Sequence, residues 1–132
     1  MVVDGSKIMR EKMIRYLELA NIFEAVLEAG SVKESKRILR KEKIDVLLFD
    51  IQLPGISGID LVPFSRNLLH KPVLILCSNY KLPQYLSIYE KLSINYFFDK
   101  SEELPELKMC IKKIAREKRS DTNLLIRYKN SI

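Results

Sequence analysis

Apolar residues in this chain fall into short continuous blocks separated by charged or turn-forming stretches. The clearest block is Val46-Leu47-Leu48-Phe49, too short for a helix and apolar without alternation, as in a strand buried on both faces. Pro72-Val73-Leu74-Ile75-Leu76 repeats that character, and Asn95-Tyr96-Phe97-Phe98-Asp99-Lys100 is a shorter aromatic version. Met1-Val2-Val3-Asp4 reads as the end of a first strand, short for its kind. Ile22 to Ala29, with β-favouring Ile22, Phe23 and Val26, is expected to be a strand.

Between these blocks the spacing changes to that of helices. Ser6 is placed to cap a helix to about Ala20, with Ile8, Met13, Ile14 and Leu17 expected on its buried face. Val32 to Lys43 is charged, with Val32, Ile38 and Leu39 at amphipathic spacing. Ser57 can cap a helix carrying Ile59, Leu61 and Val62, whose first turns Pro63 should weaken. Pro83 suits the first turn of a helix to about Leu92, and Pro105 opens a last helix burying Leu107, Cys110, Ile111 and Ile114. Five strands alternating with five helices argue for an α/β fold, a parallel sheet covered on both faces through right-handed crossovers. One domain over residues 1–118 is expected. The 119–132 segment, basic and then apolar at Leu124-Leu125-Ile126, shows no clear period and reads as a tail without a separate output domain.

Composition narrows the function classes. At 132 residues and 47% hydrophobic, the chain can bury a core, and no apolar run approaches the ~20 residues of a membrane span. With no charged-then-apolar leader, a soluble cytoplasmic protein is expected and no membrane partner. Cys77 and Cys110 lack metal-ligand spacing, which argues against zinc and disulfide scaffolding. A net charge of +6 raises nucleic acid as a partner. The Lys and Arg are scattered among Glu along helical segments, however, so a solvated surface is the better reading.

In a parallel sheet of this kind, chemistry gathers at the carboxyl ends of the strands. Those ends carry Asp4, Asp50, Cys77-Ser78 and Asp99-Lys100. Clustered carboxylates hold a hard cation such as Mg²⁺, and one of them can serve as nucleophile toward a phosphoryl group. A lysine and a hydroxyl would bind the incoming oxygens.

Asp50-x-x-Leu53-Pro54-x-x-Ser57-Gly58-x-x-Leu61, with Val2-Val3-Asp4-Gly5-Ser6-Lys7 and Tyr96-Phe97-Phe98-Asp99-Lys100-Ser101, resembles the receiver domain of bacterial two-component response regulators. The resemblance is to the single-domain type. It implies a doubly wound sheet of order 2-1-3-4-5. It also implies Asp50 as phosphoacceptor, Lys100 as the lysine meeting the phosphoryl group, and Phe97 as the aromatic that rotates on activation. Asp4, Asp50 and the Gln52 carbonyl would hold Mg²⁺. The expected function is non-enzymatic: Asp50 accepts a phosphoryl group from a histidine kinase or phosphotransfer protein, and the signal passes to a downstream protein target. A dimer through the fourth helix, fifth strand and fifth helix is one option the family offers.

Two departures stand out. Gly5 occupies the place of the second acid of the family's pair, a loss worth about 1.5–3 kcal/mol, or roughly tenfold to a hundredfold in metal affinity. Cys77 occupies the Ser/Thr switch position, with Ser78 beside it, and a thiol is a weaker donor than a hydroxyl. They motivate the alternative of a degenerate pseudo-receiver, a protein-binding module that signals without phosphate.

Overall fold

The computed structural model describes residues 1–79, 87, 89–94 and 96–130, with side chains to residue 117. Strands β1 (Val2–Val3), β2 (Glu28–Ala29), β3 (Val46–Phe49), β4 (Val73–Ser78) and β5 (Tyr96–Asp99) form one sheet in the order β2-β1-β3-β4-β5, every neighbouring pair parallel. The helices are α1 (Lys7–Leu19), α2 (Val32–Lys41), α3 (Leu61–Arg66), α4, of which residues 87 and 89–91 are described, and α5 (Leu104–Asn130). The start expected for α4 at Pro83 lies outside the described residues. This is the doubly wound α/β arrangement that the alternating pattern predicts.

Each strand sends alternate side chains to two core layers. Val3, Ala29, Leu47, Phe49 and Leu76 join Val32, Leu39, Leu61, Val62 and Tyr89 on the side of α2, α3 and α4. Val2, Val46, Leu48, Ile75 and Cys77 join Met13, Leu17, Leu107, Ile111 and Ile114 on the side of α1 and α5. The uninterrupted apolar spelling of β3 follows, because all four of its residues are buried.

Local signals fix several ends. Ser6 Oγ accepts from Met9 N at 3.3 Å and starts α1, which stops at Asn21, a residue in the left-handed region at φ 52°. Gly55, at φ 82°, makes the turn after β3 that a residue with a Cβ would strain. Ser57 Oγ accepts from Ile59 N at 3.3 Å and opens a 3₁₀ turn over Gly58–Asp60 before α3. Pro63 is the third residue of α3, in its first turn, where a missing N–H is tolerated.

Two expectations need correction. Strand β2 is Glu28–Ala29, not Ile22–Ala29: β1 offers only two residues to pair with, so Ile22, Phe23 and Val26 pack on the α1/α5 layer without a ladder. Ile8 is 81% exposed, because it lies five residues, about 140° of helix turn, from Met13. The backbone of the last helix, for which the sequence suggested no end, continues to Asn130.

Candidate functional site

Register explains how three distant residues meet. Val2 and Val3 pair with Leu48 and Phe49, so Asp4 follows β1 where Asp50 follows β3. Phe49 pairs with Leu76, which sets Asp50 beside Cys77, and Cys77 pairs with Phe98, two residues before Lys100. Val2, Leu48, Cys77 and Phe98 all face the α1/α5 layer, and the side chains two positions beyond the first, second and fourth inherit that face. Asp4, Asp50 and Lys100 therefore gather over one edge of the sheet.

The contacts are short. Lys100 Nζ donates to Asp4 Oδ2 at 2.8 Å and to Asp50 Oδ2 at 2.6 Å. All three residues are buried, at 3%, 5% and 7% exposure for Asp4, Asp50 and Lys100. The remaining carboxylate oxygens are held by backbone: Ser6 N donates to Asp4 Oδ1 at 2.8 Å, and Gln52 N to Asp50 Oδ1 at 3.1 Å. Asp50 N donates to the Val3 carbonyl at 3.0 Å, so the backbones of the two acidic loops are also joined.

Burial pulls the Lys100 ammonium toward its neutral form, but the hydrogen bonds it donates to Asp4 and Asp50, and their charges, outweigh it. The net direction is upward, above the ordinary lysine value. One ammonium thus half-neutralises two buried acids. Removing it would leave both uncompensated.

Gly58 fixes where Asp50 ends. A Cβ on Gly58 would lie 1.8 Å from the Asp50 carbonyl oxygen, and Gly58 N donates to the Ile51 carbonyl at 2.8 Å. Only hydrogen fits where the turn folds back on the strand end, which gives the glycine of the Ser57-Gly58 pair a steric reason. At the other strand end, Asp99 Oδ1 accepts from Ser101 N at 2.8 Å and Glu102 N at 3.0 Å, while Glu103 Oε1 accepts from Asp99 N at 3.1 Å. This reciprocal cap steadies the loop that carries Lys100.

The other sequence-designated residues take distinct places. Cys77 lies under the pocket at 2% exposure. Burial pushes its thiol up to about 12, with Lys100 pulling down and Asp50, Asp4 and Asp99 pushing up. Ser78 falls by strand alternation on the opposite face, and its carbonyl accepts from Lys100 N at 3.2 Å. Phe97 faces the α2/α3/α4 layer, stacked on Tyr89 with ring centroids 4.7 Å apart. Gln52 is exposed at the pocket rim.

The donor set suits a hard divalent cation in kind: two carboxylates and a carbonyl, with water completing the shell. It is lean. Among the described residues, no cluster of three His, Cys, Asp or Glu side chains gathers there. A Cβ on Gly5 would lie 3.9 Å from the Gln52 carbonyl oxygen, so position 5 does face the expected metal corner. It would also lie 3.0 Å from Pro54 Cδ, so the ring of Pro54 leans into the space left by the missing side chain.

Sequence reading missed Arg10. Its Nη1 donates to the Asp4 carbonyl at 2.7 Å and its Nε to Glu28 Oε1 at 3.1 Å. A contact to a backbone oxygen leaves no spacing to find.

Comparison with known proteins agrees with this geometry. The sequence model of the response regulator receiver domain matches residues 1–112. The sensory transduction protein LytT of Bacillus anthracis is 25% identical over 125 residues, covering 94% of this chain and 50% of that protein. The transcriptional regulatory protein YvrH of Bacillus subtilis is 21% identical over 131 residues, 97% of this chain and 55% of that protein. The chain thus spans about half the length of these curated relatives. Among solved structures, a CheY-like response regulator receiver domain protein from Methanospirillum hungatei superposes with a TM-score of 0.78 at 20% identity, covering 91% of this chain and 94% of the other.

Proposed function

Because the chain belongs to the response regulator receiver domain family of two-component signalling, we propose that it accepts a phosphoryl group on Asp50 and signals through protein–protein contact. The observation that supports this most is the meeting of Asp4, Asp50 and Lys100 in one buried pocket at the carboxyl edge of the sheet. A histidine kinase or phosphotransfer protein supplies the phosphoryl group, and a downstream protein target reads the result. In this reading the domain works in the cytoplasm as a signalling module rather than as an enzyme with its own substrate. Among the described residues, no helix is long and apolar enough to cross a membrane. If the domain pairs, the face formed by α4, β5 and α5 is the one this reading assigns to the contact.

The chemistry follows from what each residue holds. Asp50 Oδ2 is the attacking oxygen; its bond to phosphorus forms as the bond from phosphorus to the donor's leaving atom breaks. Gln52 N keeps the other oxygen, Oδ1, turned away from the attack. Lys100 Nζ, now on Oδ2, moves to an equatorial phosphoryl oxygen as charge passes outward, while its contact to Asp4 keeps it in reach. Mg²⁺, held by Asp4, Asp50 and the Gln52 carbonyl, would neutralise the charge the phosphoryl group brings. Cys77 and Ser78, next to the site, and Phe97 on the far face of β5 form the path by which the change reaches α4.

Incubation with Mg²⁺ and a small acyl phosphate or phosphoramidate donor, followed by intact-mass analysis, tests the reading. A single phosphoryl adduct is expected in the wild-type protein and none in Asp50→Asn. No wild-type adduct, or one that persists in Asp50→Asn, contradicts it. The first of these outcomes would favour a phosphate-independent binding module, a second reading supported by Gly5 and the Pro54 ring beside it.

A further inference from the structure

We infer that Arg10 is a positioning residue for the acidic pocket, setting its affinity for a divalent cation by fixing the backbone that carries Asp4. The inference rests on the reading of the pocket given above. The strand that delivers Asp4 is only two residues long, so its pairing is a weak guide for the residue just beyond it. Asp4 N is held by the Ala29 carbonyl at 3.2 Å. The Asp4 carbonyl is held by Arg10 Nη1 at 2.7 Å, a charge-assisted bond.

Arg10 is itself aimed from two sides. Its Nε donates to Glu28 Oε1 at 3.1 Å, and its side chain is 15% exposed. Gly30 leaves it room: a Cβ there would lie 3.0 Å from Arg10 Nη1 and 3.6 Å from its Cζ. Glu34 Oε2 accepts from Gly30 N at 3.0 Å and holds that loop against the guanidinium. One planar fork thereby ties α1, the end of β1 and β2 behind the carboxylate that meets Lys100. Lysine has a single nitrogen and cannot serve the Asp4 carbonyl and Glu28 in this geometry. With Gly5 leaving the metal corner short of an acid, the placing of the remaining one carries more of the affinity.

The test pairs Mg²⁺ titration by calorimetry with NMR of the Asp4 side-chain carboxyl carbon. In Arg10→Ala, Mg²⁺ affinity is expected to fall about tenfold, the loss usual for a group that orients a metal ligand. The Asp4 carboxyl resonance is expected to shift in the same variant. Arg10→Lys should fall between, and Gly30→Ala, which crowds the guanidinium, should move both readouts in the same direction. Leu39→Ala, a core truncation in the opposite layer, should lower the melting temperature and leave both readouts unchanged. If Arg10→Ala lowers the melting temperature alone, with the Asp4 resonance and Mg²⁺ affinity at wild-type values, the inference is overturned. A wild-type protein that binds no Mg²⁺ overturns the affinity claim, and the Asp4 resonance then decides whether Arg10 positions the acid.

Discussion

At the scale of single residues, Lys100 carries the largest electrostatic burden. It contacts two acids that are each more deeply buried than itself. Replacing it by alanine is expected to cost about 3–5 kcal/mol at neutral pH, because both carboxylates then lose their counter-charge. Urea denaturation of Lys100→Ala measures this; a loss under about 1 kcal/mol would mean the pocket is wetter than the geometry implies. The sign with pH follows from the upward shift of the Lys100 ammonium. A group bound more tightly to its proton in the folded state stabilises fully below its unfolded value, near 10.4 for lysine, and that stability is lost as pH rises through the folded value. The Cys77 thiol, raised from 9.0 to about 12, acts in the same sense from a lower starting point. Denaturation midpoints should therefore hold steady at neutral pH and decline from about pH 9 upward, less steeply in Cys77→Ala.

At the scale of elements, the most exacting piece is the turn after β3. Gly58→Ala places a methyl group inside van der Waals contact with the Asp50 carbonyl, and the strand end or the 3₁₀ turn must give way. The expected loss is about 3 kcal/mol, at the top of the range for overpacking, read by chemical denaturation. Wild-type stability in this variant would show that the turn is looser than described. Helix faces give a second contrast. Ile111, 1% exposed on α5, should cost about 2–5 kcal/mol on truncation to alanine. Ile8, on the outer side of α1, should change stability by less than about 0.5 kcal/mol in the same experiment.

Across the whole molecule, the parts most legible in the sequence were those that repeat a physical need. Runs such as Val46–Phe49 and Pro72–Leu76 announce strands buried on both faces, and their order with intervening helices yields the doubly wound sheet. The meeting of Asp4, Asp50 and Lys100 followed from the same logic, since each stands where a parallel strand ends. What escaped was set by partners rather than by local spelling. The short β2 reflects the two residues that β1 can pair, not the β-favouring character of Ile22 and Val26. The long α5 continues through 115–123, a stretch with no apolar stripe but with good helix formers at Ala115, Arg116, Glu117, Lys118 and Arg119. Arg10 reaches a main-chain oxygen across elements, and no pattern of residue types encodes that.

The claim on which the rest depends is that Asp50 is the phosphoacceptor and Lys100 its transferable counter-charge. A crystal structure of the protein with Mg²⁺ and beryllium fluoride, a phosphoryl mimic, tests it most directly. The expected result is beryllium bonded to Asp50 Oδ2, a fluorine taken up by Lys100 Nζ, and a cation between Asp4, Asp50 and the Gln52 carbonyl. Lys100 still bridging Asp4 and Asp50, with no beryllium on Asp50 at saturating reagent, would contradict the account.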